Sequence, residues 1–211
     1  MTDFYSYEKS LSSDKKKRLG IVYTPPEIVD YINTKLLDSW PGQRPPRVVD
    51  FSCGTGVFLH DMAEKIASRY NLSYTDVIDK YIYGADIDQD AVQLCRALLG
   101  SPNIECTNGL RVDLNRYDMV VGNPPYVRIQ NLDVATRTAL EGFEWCTGDT
   151  DLYIAFLQKI MRSNCYYGII CPNSWLHTHA GSLVREQFLS EQRSTELVDF
   201  RTNQVFKGVG A

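Results

Sequence analysis

The chain has 211 residues, 44% of them hydrophobic, and a net charge of −4. That is one α/β domain of ordinary size with enough apolar content for a full core. The composition excludes a membrane-spanning segment, a secretory leader and a chain that is basic enough throughout to bind nucleic acid by itself. The six cysteines, at 53, 95, 106, 146, 165 and 171, form no CxxC pair. This points to reduced thiols in a cytoplasmic protein rather than to a disulfide frame or a zinc site.

The first nineteen residues are polar and carry Lys15-Lys16-Lys17-Arg18. They read either as a solvated, partly helical arm or as an arm that contacts phosphates. From Gly20 the pattern changes. Thr24-Pro25-Pro26-Glu27, followed by Ile28, Val29, Tyr31, Ile32 and Leu36, predicts a helix with one apolar face, with Thr24 as N-cap, Pro25 at its first position and Glu27 at its third. After a Pro/Gly-rich linker, Val48–Phe51 predicts a short strand. Ser52-Cys53-Gly54-Thr55-Gly56 then turns into a helix from Val57. Tyr81–Ile87 predicts a second strand followed by a helix through Leu99, Ile104–Thr107 a third strand, and Tyr117–Val121 a fourth. A long polar stretch over about 127–150 has the length of a functional loop. Beyond it, Asp151–Met161 predicts a helix, Tyr167–Cys171 a fifth strand, Leu183–Leu189 a helix and Leu197–Phe200 a sixth strand. Strands alternating with helices imply a doubly wound, mainly parallel sheet.

Asn123-Pro124-Pro125-Tyr126, at the carboxyl end of the fourth strand, carries the most chemical information. Ligands of open α/β sheets bind at that edge. The Asn123 amide oxygen and the Pro124 carbonyl can accept both hydrogens of an exocyclic amine. The prolines fix φ and hold that carbonyl in place, and Tyr126 can stack on a flat base. Methylation of a base amino group requires such a set.

The turn from Asp50 to Gly56 allows the backbone to approach a ligand closely. It is neither a phosphate-binding Walker loop nor a GxGxxG dinucleotide fingerprint. Asp86, at the end of the second strand, suits the hydroxyls of a ribose, and Asp88 suits a helix N-cap. Together the glycine turn and Asp86 imply an adenosine-containing cofactor. Asn108 reads either as a partner for the edge of the cofactor's adenine or as a turn residue beside Gly109. His177 and His179 lack a third ligand, so no metal is expected. Cys171 reads as a buried residue at a strand end.

These residues resemble the γ-class adenine-N6 DNA methyltransferases of restriction-modification and phage-defence systems, with motifs in the γ order from Gly20 onward. Gly20–Glu27 resembles motif X, Val49–Gly56 motif I, Gly84–Asp88 motif II and Asn123–Tyr126 motif IV. Asp151–Leu157 resembles motif V, Pro172–Leu176 the end of motif VI, and Val205-Phe206 motif VIII. NPPY alone also marks glutamine methylation of release factors. Motif X directly before motif I, together with the Val-Phe element, points instead to DNA.

The resemblance implies a class I S-adenosylmethionine-dependent (Rossmann-like) fold, cut before its last strand, over residues 20–211. It also implies double-stranded DNA as substrate and a C-terminal target-recognition domain or specificity subunit outside this chain. It assigns the cofactor's carboxylate to Thr24 and the Tyr23 backbone, its ammonium to Asp50, and its ribose to Asp86. Ser52, Gly54 and Gly56 belong to the cofactor turn. Ile87, Pro125 and Phe156 enclose the purine, with Asn108 at its edge. Tyr126 and Phe206 would stack on the target base. One departure stands out: the family usually has Asp and then a large apolar residue where this chain has Asn108-Gly109. Methylation of RNA or of a protein glutamine, and a non-catalytic cofactor-binding module, remain the rival readings.

Overall fold

The computed structural model describes residues 4–22, 24–146, 150–191 and 196–200. Two short helices, α1 (Ser6–Ser10) and α2 (Ser13–Leu19), precede α3 (Pro26–Asp38) and β1 (Val48–Asp50). Next come α4 (Val57–Tyr70), α5 (Tyr74–Tyr81), β2 (Ile82–Asp86), α6 (Gln89–Leu99), β3 (Ile104–Cys106) and β4 (Met119–Gly122). The chain continues through α7 (Val134–Thr138), α8 (Tyr153–Met161), β5 (Tyr166–Ile169) and α9 (Ser182–Glu191).

The five strands form one all-parallel sheet in the order β3-β2-β1-β4-β5. Its centre reads as unbroken apolar runs because both faces are covered. Strand alternation sends neighbours to opposite sides. Val48, Met119 and Val121 join one core with Leu59, Met62 and Ile66 of α4. Val49 and Val120 join the other with Ala155, Phe156 and Ile160 of α8. β1 pairs with β2 on one side and with β4 on the other. The connections therefore reverse direction at β1, and this is where doubly wound sheets open a crevice at their carboxyl edge.

Helix ends follow local chemistry. Asp88 caps α6 through the Asp90 N–H, and Gly100, at φ +67°, closes it. The α3 expectation needs correction: Pro25, not Thr24, is the N-cap, and no side chain caps that helix. Thr24 is instead drawn inward, where it is 4% exposed. A second correction concerns the sixth strand, because residues 196–200 have no strand assignment and Leu197 and Val198 are about half exposed. An apolar run needs a ladder partner to become a strand, and among the described residues none pairs there. The fifth strand starts one residue earlier than expected and ends two residues earlier, at Ile169. The polar stretch after β4 carries local structure among its described residues. Asp133 caps α7 through the Thr136 N–H at 2.7 Å, and the buried Trp145 N–H donates to Gln158 Oε1 at 2.9 Å. Among the described residues no helix is long and apolar enough to cross a membrane.

Candidate active site

A cavity of about 710 Å³ lies at the carboxyl ends of β1, β2 and β4. The glycine turn and Asp86 form one unit at its floor. The Gly54 N–H donates to Asp86 Oδ2 at 2.7 Å, and the Asp88 N–H donates to Oδ1 at 2.9 Å. Gly54 and Gly56 make this possible by adopting positive φ, +51° and +95°. A Cβ on Gly56 would meet Cys95 Sγ at 2.6 Å. Burial raises the Asp86 pKa, while the Asp88 and Gly54 N–H groups pull it back.

Asp50 ends β1 at 2% exposure. Its Oδ1 accepts from the Ser52 N–H at 3.0 Å. Burial pushes its carboxyl up to about 8; the Ser52 N–H opposes that rise and the charge of Asp86 adds to it. Gly122 gives it room: at φ +140°, a Cβ there would lie 2.6 Å from Asp50 Oδ1.

The Asn123 amide has a defined orientation. Its Nδ2 donates to the Val22 carbonyl at 3.2 Å and to Thr24 Oγ1 at 3.0 Å. A carbonyl oxygen can only accept, so Nδ2 must face it. Oδ1 is then the accepting end, and it accepts from the Tyr126 hydroxyl. A carbonyl-type oxygen has a second lone pair for another donor. Ser52 Oγ donates to the Asn123 carbonyl at 3.4 Å. Tyr126 packs edge-on against Tyr153 at 6.2 Å, and burial raises its pKa strongly. Its N–H donates to the Gly20 carbonyl at 3.3 Å, which fastens the segment before α3 to the Asn-Pro-Pro-Tyr turn. A Cβ on Gly20 would meet that nitrogen at 2.6 Å.

Ten of the residues singled out in the sequence line this one cavity: Thr24, Asp50, Ser52, Gly54, Asp86, Ile87, Asn108, Asn123, Pro125 and Phe156. Ile87 leaves half its surface exposed there. Phe156 stacks on Phe51 at 5.0 Å. The Phe51 carbonyl oxygen fills the space beside Gly109, where a Cβ would sit 1.9 Å away. Asn108 Oδ1 accepts from the Leu110 N–H at 3.0 Å, so this residue caps a turn as well as lining the cavity. Gly56, Pro124 and Tyr126 lie outside the lining. Tyr23 and Phe206 fall outside the described residues. Among those described, no cluster of three metal-ligating side chains occurs, and all six cysteines are free.

Two walls went unread in the sequence. One is residues 4–19, through Phe4, Tyr7 and Lys15; the other is residues 131–136, through Leu132 and Asp133. The Phe4-Tyr5-Ser6-Tyr7 aromatic cluster in a polar arm was the available signal, and Phe4 is buried at 5% exposure.

The sheet order, the glycine turn and the carboxylate after β2 define a class I S-adenosylmethionine-dependent methyltransferase fold. A solved class I S-adenosylmethionine-dependent methyltransferase from Listeria monocytogenes shares that fold at TM-score 0.62 and 16% identity, over 87% of this chain and 55% of its own. The ATP-dependent Type ISP restriction-modification enzyme LlaBIII, bound to DNA, matches at TM-score 0.66 and 19% identity, over 87% of this chain and 17% of its own. The profile of the Eco57I restriction-modification methylases matches residues 101–206, half of the sequence, and the chain belongs to that family. Among named relatives, the Type II methyltransferase M.BanIII of Aneurinibacillus aneurinilyticus is 26% identical over 92% of this chain and 37% of its own length. The chain thus spans little more than a third of the first relatives it matches.

Proposed function

We propose that this chain is the catalytic part of a restriction-modification or phage-defence DNA methyltransferase that methylates the N6 amine of adenine. The oriented Asn123 amide carries this reading. Its nitrogen is spent on Val22 and Thr24, so its oxygen is fixed as an acceptor that takes the Tyr126 hydroxyl and keeps a second lone pair, in a residue that lines the cavity.

The cavity's chemistry fits S-adenosylmethionine. The buried carboxyl of Asp50 has no cationic side chain bonded to it among the described residues, which leaves it available to an ammonium. Asp86, held by two N–H groups, is a fixed acceptor for a ribose diol. Ile87, Pro125 and Phe156 offer apolar surface for a purine. Asn108 would meet the purine's edge, and Thr24 would meet the carboxylate. When bound, the cofactor supplies an electrophilic methyl group.

The chain's own task is the acceptor. Asn123 Oδ1 and the Pro124 carbonyl accept the two amine hydrogens, which draws the nitrogen lone pair out of conjugation with the ring. Positioning and fixed dipoles supply the rate. An adenine in duplex DNA reaches this turn only when flipped from its stack. Tyr126, and Phe206 from the other side, would hold the flipped base. With a net charge of −4, the chain depends on a recognition domain or specificity subunit elsewhere for most of its phosphate contacts.

The test is methyl transfer from labelled S-adenosylmethionine by the full-length protein. Unmethylated duplex DNA, RNA and a glutamine-containing peptide are offered in parallel, and digested nucleosides are read by mass spectrometry. N6-methyladenine from DNA alone, abolished in Asn123→Ala, is the expected result. Label in RNA or peptide instead would overturn the DNA assignment.

A further inference from the structure

The arm before motif X is partly helical and α2 buries none of its residues, yet it is tied to the body of the chain at two points. Helix α2 begins at Ser12, whose hydroxyl accepts from the Lys15 N–H, and ends at Gly20 in the left-handed region. Lys15 turns inward. Its Nζ donates to the Tyr7 hydroxyl at 2.8 Å and pairs with Asp88 at 3.0 Å and with Asp90 at 3.2 Å. The Tyr7 hydroxyl donates to Asp88 Oδ2 at 2.7 Å. The Asp88 side chain is only 9% exposed. Burial works against its charge, yet the bonds from Tyr7 and Lys15 hold its pKa below the usual carboxylate range.

The other end of the arm is pinned to a different ligand-facing turn. Thr55, between the two glycines, donates its hydroxyl to the Phe4 carbonyl at 2.6 Å. The Phe4 ring stacks on His60 at 4.8 Å. Both anchors therefore sit on the turns that frame the cavity, one after β1 and one after β2, and Phe4, Tyr5, Tyr7, Lys15, Arg18 and Leu19 of this segment line it.

We propose that residues 4–19 form a strap that closes the cofactor site, with Tyr7 and Lys15 as positioning residues that act on Asp86 through Asp88. The path is short: Tyr7 and Lys15 hold the Asp88 carboxylate, and the Asp88 N–H holds Asp86 Oδ1. The strap is also built to open. Helix α2 buries none of its residues, so Phe4 and a few polar bonds carry the attachment. Segments with so little buried surface open locally at low cost. Salt weakens a latch of this kind. The proposal rests on the reading of the cavity as a cofactor site.

The test follows release of S-adenosylhomocysteine from the full chain by stopped flow, alongside tryptic cleavage within Lys15–Arg18 with and without that ligand. Wild type and Lys15→Arg should release slowly, and the ligand should protect their tryptic sites. The double variant Tyr7→Phe/Lys15→Met should release about tenfold faster, the equivalent of losing roughly one charged hydrogen bond, and should be cut equally with and without ligand. Asp86→Ala separates the two readings. If Asp86→Ala loses binding while the double variant keeps wild-type release and protection, the strap assignment alone falls. If wild type does not bind, or Asp86→Ala binds as wild type does, the cofactor reading falls and the strap with it.

Discussion

Asn123 Nδ2 lies 3.2 Å from the carbonyl oxygen of Val22, which it reaches across 101 positions of chain. That bond and its companion to Thr24 Oγ1 tie the turn after β4 to the segment before α3. The presented face of the Asn123 amide is thus set by residues far away in sequence.

Thr24→Val should show this in the rate. It removes one buried acceptor from the Asn123 amide, and a buried polar group left unpaired costs about 1–3 kcal/mol. In the full-length enzyme we expect the single-turnover methylation rate to fall about tenfold or more, beyond any loss of cofactor affinity, with Thr24→Ser close to wild type. A Thr24→Val enzyme that loses only cofactor affinity would place this hydroxyl on the cofactor alone.

Asp86→Ala removes the acceptor held by Gly54 and Asp88. Loss of such a contact should weaken S-adenosylmethionine binding by roughly 1–3 kcal/mol, read by calorimetric titration. Asp86→Asn, which keeps one acceptor oxygen, should fall between the two.

Asp50 predicts a pH dependence of stability. Its pKa rises from 3.8 to about 8 on folding. Between those values the folded chain holds a proton that the unfolded chain has lost, so unfolding free energy falls as pH rises, by at most about 1.4 kcal/mol per pH unit. This contribution is complete below the lower value and is lost as pH passes the upper one. Asp50→Asn, which does not titrate, should give a flatter profile in denaturant melts across that window. It should also bind S-adenosylmethionine less well, because the proposed partner of the ammonium is gone. Parallel profiles for the two proteins would contradict the assignment.

Gly109→Ala places a methyl group 1.9 Å from the Phe51 carbonyl oxygen and 3.2 Å from Phe156. Overpacking of this kind costs about 1–3 kcal/mol. The urea midpoint should drop with an unchanged slope, and purine binding should weaken with it.

The β1, β2 and β4 positions were legible because each is a short apolar run followed by a glycine, an acid or a proline. The site residues on those strand ends were legible for the same reason. Contacts between turns were not. Nothing in the sequence links Gly54 to Asp86, or Asn123 to Val22, because hydrogen bonds between loops leave no periodicity. Thr24 looked like a cap since Thr-Pro-Pro-Glu has the local pattern of one, and its tertiary contact with Asn123 took precedence. Residues 197–200 had strand composition, but β-structure depends on a neighbour that composition does not supply. The basic run at 15–18 read as a solvated arm or as a phosphate contact, and neither reading anticipated that Lys15 is paired within the chain.

The pairing of β1 with β4 also bears on how the protein comes into being. Val48 meets Met119, so the middle of the sheet pairs strands that β2, β3 and their helices separate in sequence. Such distant pairings are slow to form, because loop closure precedes any gain in contacts. On the ribosome, the half that ends at β3 emerges with one flank of β1 bare and with Asp50 still lacking Gly122 against it. The cofactor can therefore act as a late clasp on an assembled sheet, not as an early template. Refolding should accordingly be limited by a step that the cofactor does not accelerate.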